Sequence, residues 1–174
     1  TFTAVPVGAS GIVNPADVAR AMRPDTVLVS VMGGQNEVGT IQPIEEIAAI
    51  AHARGVPMHS DLCQSFGKVP LRGFDFASAS AHKLHGPTGT GCVLIPQRFL
   101  ARMSVPALGG SQQNGVRGGT LNLHGIAGFG AACREMRTWN AGPQSVGGLA
   151  GEALRLCVLR DLLLKCLRDA LGDE

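Results

Sequence analysis

Short β-branched apolar runs alternate with amphipathic stretches of helical period through the first part of this chain, and that alternation leaves few architectures open. Residues 26–32, Thr-Val-Leu-Val-Ser-Val-Met, are fit for a strand buried on both faces. Pro43 then starts a helix whose Ile44, Ile47, Ala48 and Ala51 share one face, and Gly55 stops it. Residues 56–60, 74–80 and 91–96 read as three more strands. Upstream, residues 1–7 are strand-like, and Asn14-Pro15 is an N-cap followed by proline at the first helical position, opening a short helix to about residue 22. This order predicts an α/β fold with a mainly parallel sheet between helices. Further on, 109–122 is a glycine-rich polar loop and 123–139 a helix. After a Gly/Pro/Ser spacer, 149–171 is a long amphipathic helix with Glu152, Arg155, Asp161, Lys165 and Arg168 on its wet side.

Parallel sheets gather ligands at the carboxyl ends of their strands. Gln35-Asn36, Asp61 to Gln64 and Ser80 to Lys83 all fall at or just past such ends, so one chemical site is expected there. Its residue types are specific. A lysine amine can condense with an aldehyde, and a carboxylate can pair with a pyridinium nitrogen and keep the ring an electron sink. Lys83, set between two histidines and before a Gly-Pro turn, departs from the usual solvated lysine.

Other function classes fit less well. A net charge of +2 at 174 residues gives no basic stripe for nucleic acid. No apolar run approaches the roughly 18 residues of a membrane span, since Arg155, Arg160, Asp161 and Lys165 interrupt the last candidate. The five cysteines are odd in number and form no C-x-x-C pair, which favours reduced thiols in a cytoplasmic compartment. Cys63 is expected to pack, and Cys92, Cys133, Cys157 and Cys166 read as core. The 86–91 segment lacks the Lys-Ser/Thr of a nucleotide phosphate loop and runs into a strand. His59, Asp61 and Cys63, with His82 and His85 downstream, could suit zinc. That reading leaves Lys83 and Gln64 unused, so no metal site is expected.

Four segments, in order, resemble the cysteine desulfurase and selenocysteine lyase family of pyridoxal-phosphate enzymes, and the resemblance covers nearly the whole chain. Gln35-Asn36-Glu37-Val38-Gly39 is similar to the family's Asn-Asn-Glu-x-Gly turn, with Gln for the first Asn. His59-Ser60-Asp61-Leu62-Cys63-Gln64 resembles its His-x-Asp-x-x-Gln strand end. Ser80-Ala81-His82-Lys83 resembles its Ser-Gly-His-Lys, with Ala for Gly. The loop carrying Gln112, Gln113, Arg117, Gly119, Thr120 and Asn122 resembles its Gln-Glu…Arg-x-Gly-Thr-x-Asn loop; Gln113 and Asn114 stand where many members have Glu and Arg.

The resemblance implies the central part of a fold-type I large domain over residues 1–144, with 145–174 a long helix leading toward a small domain. It implies pyridoxal 5'-phosphate as cofactor and Lys83 as both the Schiff-base lysine and the mover of the α-proton. Asp61 would be the pyridinium partner, and Asn36 and Gln64 would bond the ring-oxygen side. Ser80 and His82 would hold the phosphate, and Thr120 would reach the phosphate of a neighbouring subunit in a homodimer with shared sites. The implied reaction removes sulfur or selenium from L-cysteine or L-selenocysteine, leaving L-alanine, with a sulfur or selenium acceptor protein as a further partner. The family's nucleophilic cysteine and carboxylate-gripping arginine would follow residue 174, and its ring-stacking histidine would precede residue 1. Both ends therefore look cut, and organellar targeting stays open beside a cytoplasmic location. The alternatives are another reaction on the same cofactor and a truncated, inactive remnant.

Overall fold

The computed structural model describes residues 1–103, 109–141 and 148–172. Its centre is a four-stranded sheet in the order β1 (Val29–Met32), β2 (Met58–Asp61), β3 (Phe76–Ser80) and β4 (Gly91–Leu94). The first three strands run parallel and β4 is antiparallel to β3. The reversal follows from chain length: a parallel return needs a crossover of about a dozen residues or more, and the link from Ser80 to Gly91 is occupied by a 3-10 turn, Ala81–Leu84, and a Gly-Pro loop.

Helix α1 (Pro15–Ala21) starts as its cap residue dictates, with the Ala16 N–H donating to Asn14 Oδ1 at 2.9 Å. It packs with α2 (Ile44–Ala53), whose Ile44, Ile47, Ala48 and Ala51 are all buried. These side chains join Val13, Val18, Val29, Val56 and Met58 in the main core. Gly55 ends α2 at φ +69°, a conformation that favours glycine. A short α3 (Gln97–Leu100) follows β4. Asn122 caps α4 (Leu123–Ala141), accepting the Gly125 N–H at 3.0 Å. Phe129 of α4 closes a second core over Ala79, Ala81 and Leu84, with Phe66, Cys92, Cys133 and Met136 packed around it. Met58, Ser60, Ala77 and Ala79 are buried on one sheet face, so alternation turns Asp61, Ser78 and Ser80 to the other.

Four expectations change. The first strand covers only 29–32, and Val27, Leu28 and Met32 are exposed, because β1 pairs with β2 alone among the described residues. Residues 1–7 make a single bridge, Val7 to Val13, instead of a strand. Helix α5 (Gly148–Leu171) is exposed at every position from 153 to 171, so its apolar residues there have no dry side within the described residues. Cys157 and Cys166 ride on it and are exposed rather than core. No described helix is long and apolar enough to cross a membrane.

Candidate active site

The register of β2 on β3 assembles the site. Asp61 is the direct partner of Ser78, so their side chains share a face, and Ser80 lies two residues further along that face. Asp61 then begins a turn: its Oδ1 accepts the Cys63 N–H at 2.9 Å. The thiol continues the contact across the strand ends, with Cys63 Sγ 3.1 Å from Ser80 Oγ. Cys63, expected to pack, is thus a half-buried hydrogen-bonding residue of the site.

Partial burial works against the Asp61 charge. The Cys63 thiol and N–H, the Ser78 hydroxyl and the His59 ring outweigh it and hold the carboxyl below its ordinary value. Asp61 is therefore ionised at neutral pH. Burial pushes the Cys63 thiol up, and so does Asp61 beside it. The same burial raises Cys92 and Cys133. His59, which the sequence set beside Asp61 in a possible metal cluster, instead bonds Ser30 Oγ through Nδ1 at 2.8 Å. No cluster of metal-ligating groups occurs among the described residues.

Lys83 and His82 lie exposed on the 3-10 turn between buried Ala81 and Leu84. The turn is fixed at both ends, by Ala81 N–H to Thr90 O and Gly86 N–H to Ala81 O, each 2.9 Å. His85 follows with φ 60°, so the chain leaves the turn sharply. Gln64 is half-buried beside Gly34 at the end of β1. Asn36 is exposed in the turn after β1, which Gln35 pins by accepting the Glu37 and Val38 N–H groups at 2.5 and 2.7 Å. A glutamine in the first position therefore still closes that loop. Thr120 is exposed in the loop before α4, and no hydrogen bond among the described residues joins it to Asp61 or Ser80. Ser78 was not singled out by sequence reasoning; only the register reveals it as a partner of Asp61.

Two open cavities lie nearby, and neither takes in Asp61 or Lys83. One, of about 660 Å³, runs between the His85-Gly86-Pro87 loop and α4. The other, of about 950 Å³, lies between the N-terminal arm and β1.

The family model for class-V aminotransferases matches residues 1–143. The chain belongs to that family. Among curated class-V relatives, it is 41% identical over 165 residues to the cysteine desulfurase IscS of Anaeromyxobacter dehalogenans, covering 92% of this chain and 39% of the relative. It is also 41% identical over 144 residues to the mitochondrial cysteine desulfurase of Candida maltosa, covering 80% of this chain and 30% of the relative. The chain thus spans well under half the length of these curated relatives. Among solved structures, a NifS-like protein aligns with TM-score 0.71 at 37% identity over 78% of this chain and 38% of its own. SspA, solved in complex with cysteine, aligns with TM-score 0.69 at 36% identity over 72% and 38%. The class-V fold, a mostly parallel sheet with helices against it, is the one these neighbours share.

Proposed function

We propose that this chain is the core of a pyridoxal-phosphate-dependent cysteine desulfurase, removing sulfur from L-cysteine to leave L-alanine; L-selenocysteine, giving selenium, is the alternative substrate. The observation that supports the reading is that three groups lie at or just past the carboxyl ends of β2 and β3. These are the ionised Asp61, the Ser80 hydroxyl joined to it through Cys63, and the exposed Lys83 on the turn that follows. The donor set fits the cofactor: an anion for a ring N–H, a hydroxyl for a phosphate oxygen and a free amine for an aldehyde.

Bound there, pyridoxal 5'-phosphate would supply an electron-withdrawing ring that takes up the electron pair left at the substrate Cα. Lys83 Nζ would hold the aldehyde carbon and, once released, move the proton at that Cα. Asp61 would accept the ring N–H and keep its proton in place. Ser80 and His82 would hold the phosphate, and Asn36 and Gln64 the ring-oxygen side. Thr120 would serve a second subunit's phosphate, which makes the working form a homodimer with shared sites. Residues 1–144 would belong to the cofactor-binding large domain, and 145–174 would lead toward a small domain.

The relatives' names and the neighbour solved with cysteine favour L-cysteine over L-selenocysteine. Free cysteines throughout the described residues support a reducing, cytoplasmic setting, and a sulfur acceptor protein would complete the cycle.

Borohydride trapping tests the reading. The protein is incubated with pyridoxal phosphate and reduced, and the pyridoxyl group is located by peptide mass. Label on Lys83 alone, lost in Lys83→Ala, is the expected result. Scattered labelling of surface lysines, or label unchanged in the variant, would remove the assignment.

A further inference from the structure

Ser80 holds the N-cap position of the 3-10 turn that carries His82 and Lys83, yet its side chain makes no capping bond to that turn. Serine at such a position ordinarily turns its hydroxyl onto the backbone. Here the hydroxyl reaches across the strand ends instead, with Ser80 Oγ 3.1 Å from Cys63 Sγ. Cys63 is itself fixed at the end of β2, because its N–H donates to Asp61 Oδ1 at 2.9 Å. Both residues are half-buried, so the pair stays within reach of a ligand.

A hydroxyl has one proton and two acceptor sites. With the Cys63 S–H donating to Ser80 Oγ, one acceptor site is filled and the Ser80 proton is left for an anion. Without the thiol, the serine can rotate to another staggered position. There its oxygen accepts from the N–H groups of the turn, as a capping serine does, and turns away from the anion.

We propose that Cys63 is a positioning residue that holds the Ser80 hydroxyl off the turn and ready to donate to a phosphate oxygen. The inference rests on the pyridoxal-phosphate reading of the same site. Cys63 acts through Ser80, so what it improves is the grip on the phosphate and not on the ring or the aldehyde.

Pyridoxal, which lacks the phosphate, isolates that contribution. Binding of pyridoxal and of pyridoxal 5'-phosphate to the full-length protein is measured by absorbance and equilibrium dialysis. The ratio of the two dissociation constants reads the phosphate grip. Cys63→Ala should lower the ratio roughly three- to tenfold, the span of one modest hydrogen bond. Cys63→Ser, which keeps a donor and an acceptor, should recover most of it. Ser80→Ala should lower the ratio at least as far, and adding Cys63→Ala to Ser80→Ala should lower it no further. A merely structural role for Cys63 would weaken both ligands together and would add to Ser80→Ala. A wild-type ratio in Cys63→Ala, a Cys63→Ser ratio as low as that of Cys63→Ala, or an additive double variant overturns the inference and leaves the cofactor reading standing. A wild-type ratio in Ser80→Ala removes Ser80 from the phosphate site, and the role of Cys63 with it. A wild type that binds neither ligand removes the cofactor reading itself.

Discussion

Replacing Asp75 by alanine should cost the fold about 2–4 kcal/mol, the largest part of it from one backbone group. The Asp75 carboxylate is only 10% exposed. It accepts the Met58 N–H at 3.0 Å, His52 Nε2 at 2.7 Å, and the Arg98 guanidinium. It thereby ties α2, the start of β2 and α3 together. His52 and Arg98 are 44% and 65% exposed, so their pairings are worth about 0–1 kcal/mol each in solvent. Met58 is fully buried, and its stranded N–H carries the desolvation cost of about 1–3 kcal/mol. Asp75→Asn keeps an acceptor for that N–H and should lose only about 1 kcal/mol. Burial opposes the Asp75 charge, but the Met58 N–H, His52 and Arg98 hold its carboxyl below the ordinary value. A depressed folded-state value means the charge stabilises the fold above about pH 4 and ceases to do so as pH falls through the lowered value. Urea unfolding at several pH values checks this. The gap between wild type and Asp75→Ala should hold from pH 5 to 8 and narrow below about pH 4. An alanine variant within about 0.5 kcal/mol of wild type, or an asparagine variant as damaged as the alanine, would refute the reasoning.

Two further outcomes follow from the site. Asp61→Asn leaves no anion for the ring N–H, so α-proton exchange on L-cysteine in the full-length protein should fall by about a hundredfold or more, while borohydride label still reaches Lys83; exchange at the wild-type rate would exclude the assigned role. Gly91→Ala sets a Cβ 2.7 Å from the Ala79 carbonyl oxygen, a rigid neighbour. It should destabilise by about 1–3 kcal/mol in thermal unfolding, whereas Gly8→Ala, which meets nothing within 4 Å, should be silent.

What could be read from the sequence is what local chemistry decides. The Asn14-Pro15 start and the buried face of α2 depend on neighbours three or four residues away, and both appear as expected. The partners of β1 do not lie in its own residues, so a run suited to burial on both faces sits exposed at the sheet's edge. The direction of β4 hinged on connection length instead of on its apolar pattern. At the site, Asp61, Ser80 and Lys83 carry recognisable motifs, whereas Ser78 and the Cys63 thiol gain their meaning only from pairing across strands.

That pairing explains why small, featureless residues matter to the chemistry. Side chains alternate along a strand, so a one-residue slip of β3 against β2 would turn Ser78 and Ser80 away from Asp61 and Cys63. The same slip would expose Ala77 and Ala79 and bury the serines in their place. Ala77 is 1% exposed, Ala79 7% and the following Ala81 0%, and Phe129 with Leu84 closes over the latter pair. Larger side chains there would push α4 outward, and polar ones would be buried without partners. The alanines on the dry face therefore set the register that brings the carboxylate, thiol and hydroxyl together on the other, and Lys83 takes its position from the turn that Ala81 anchors.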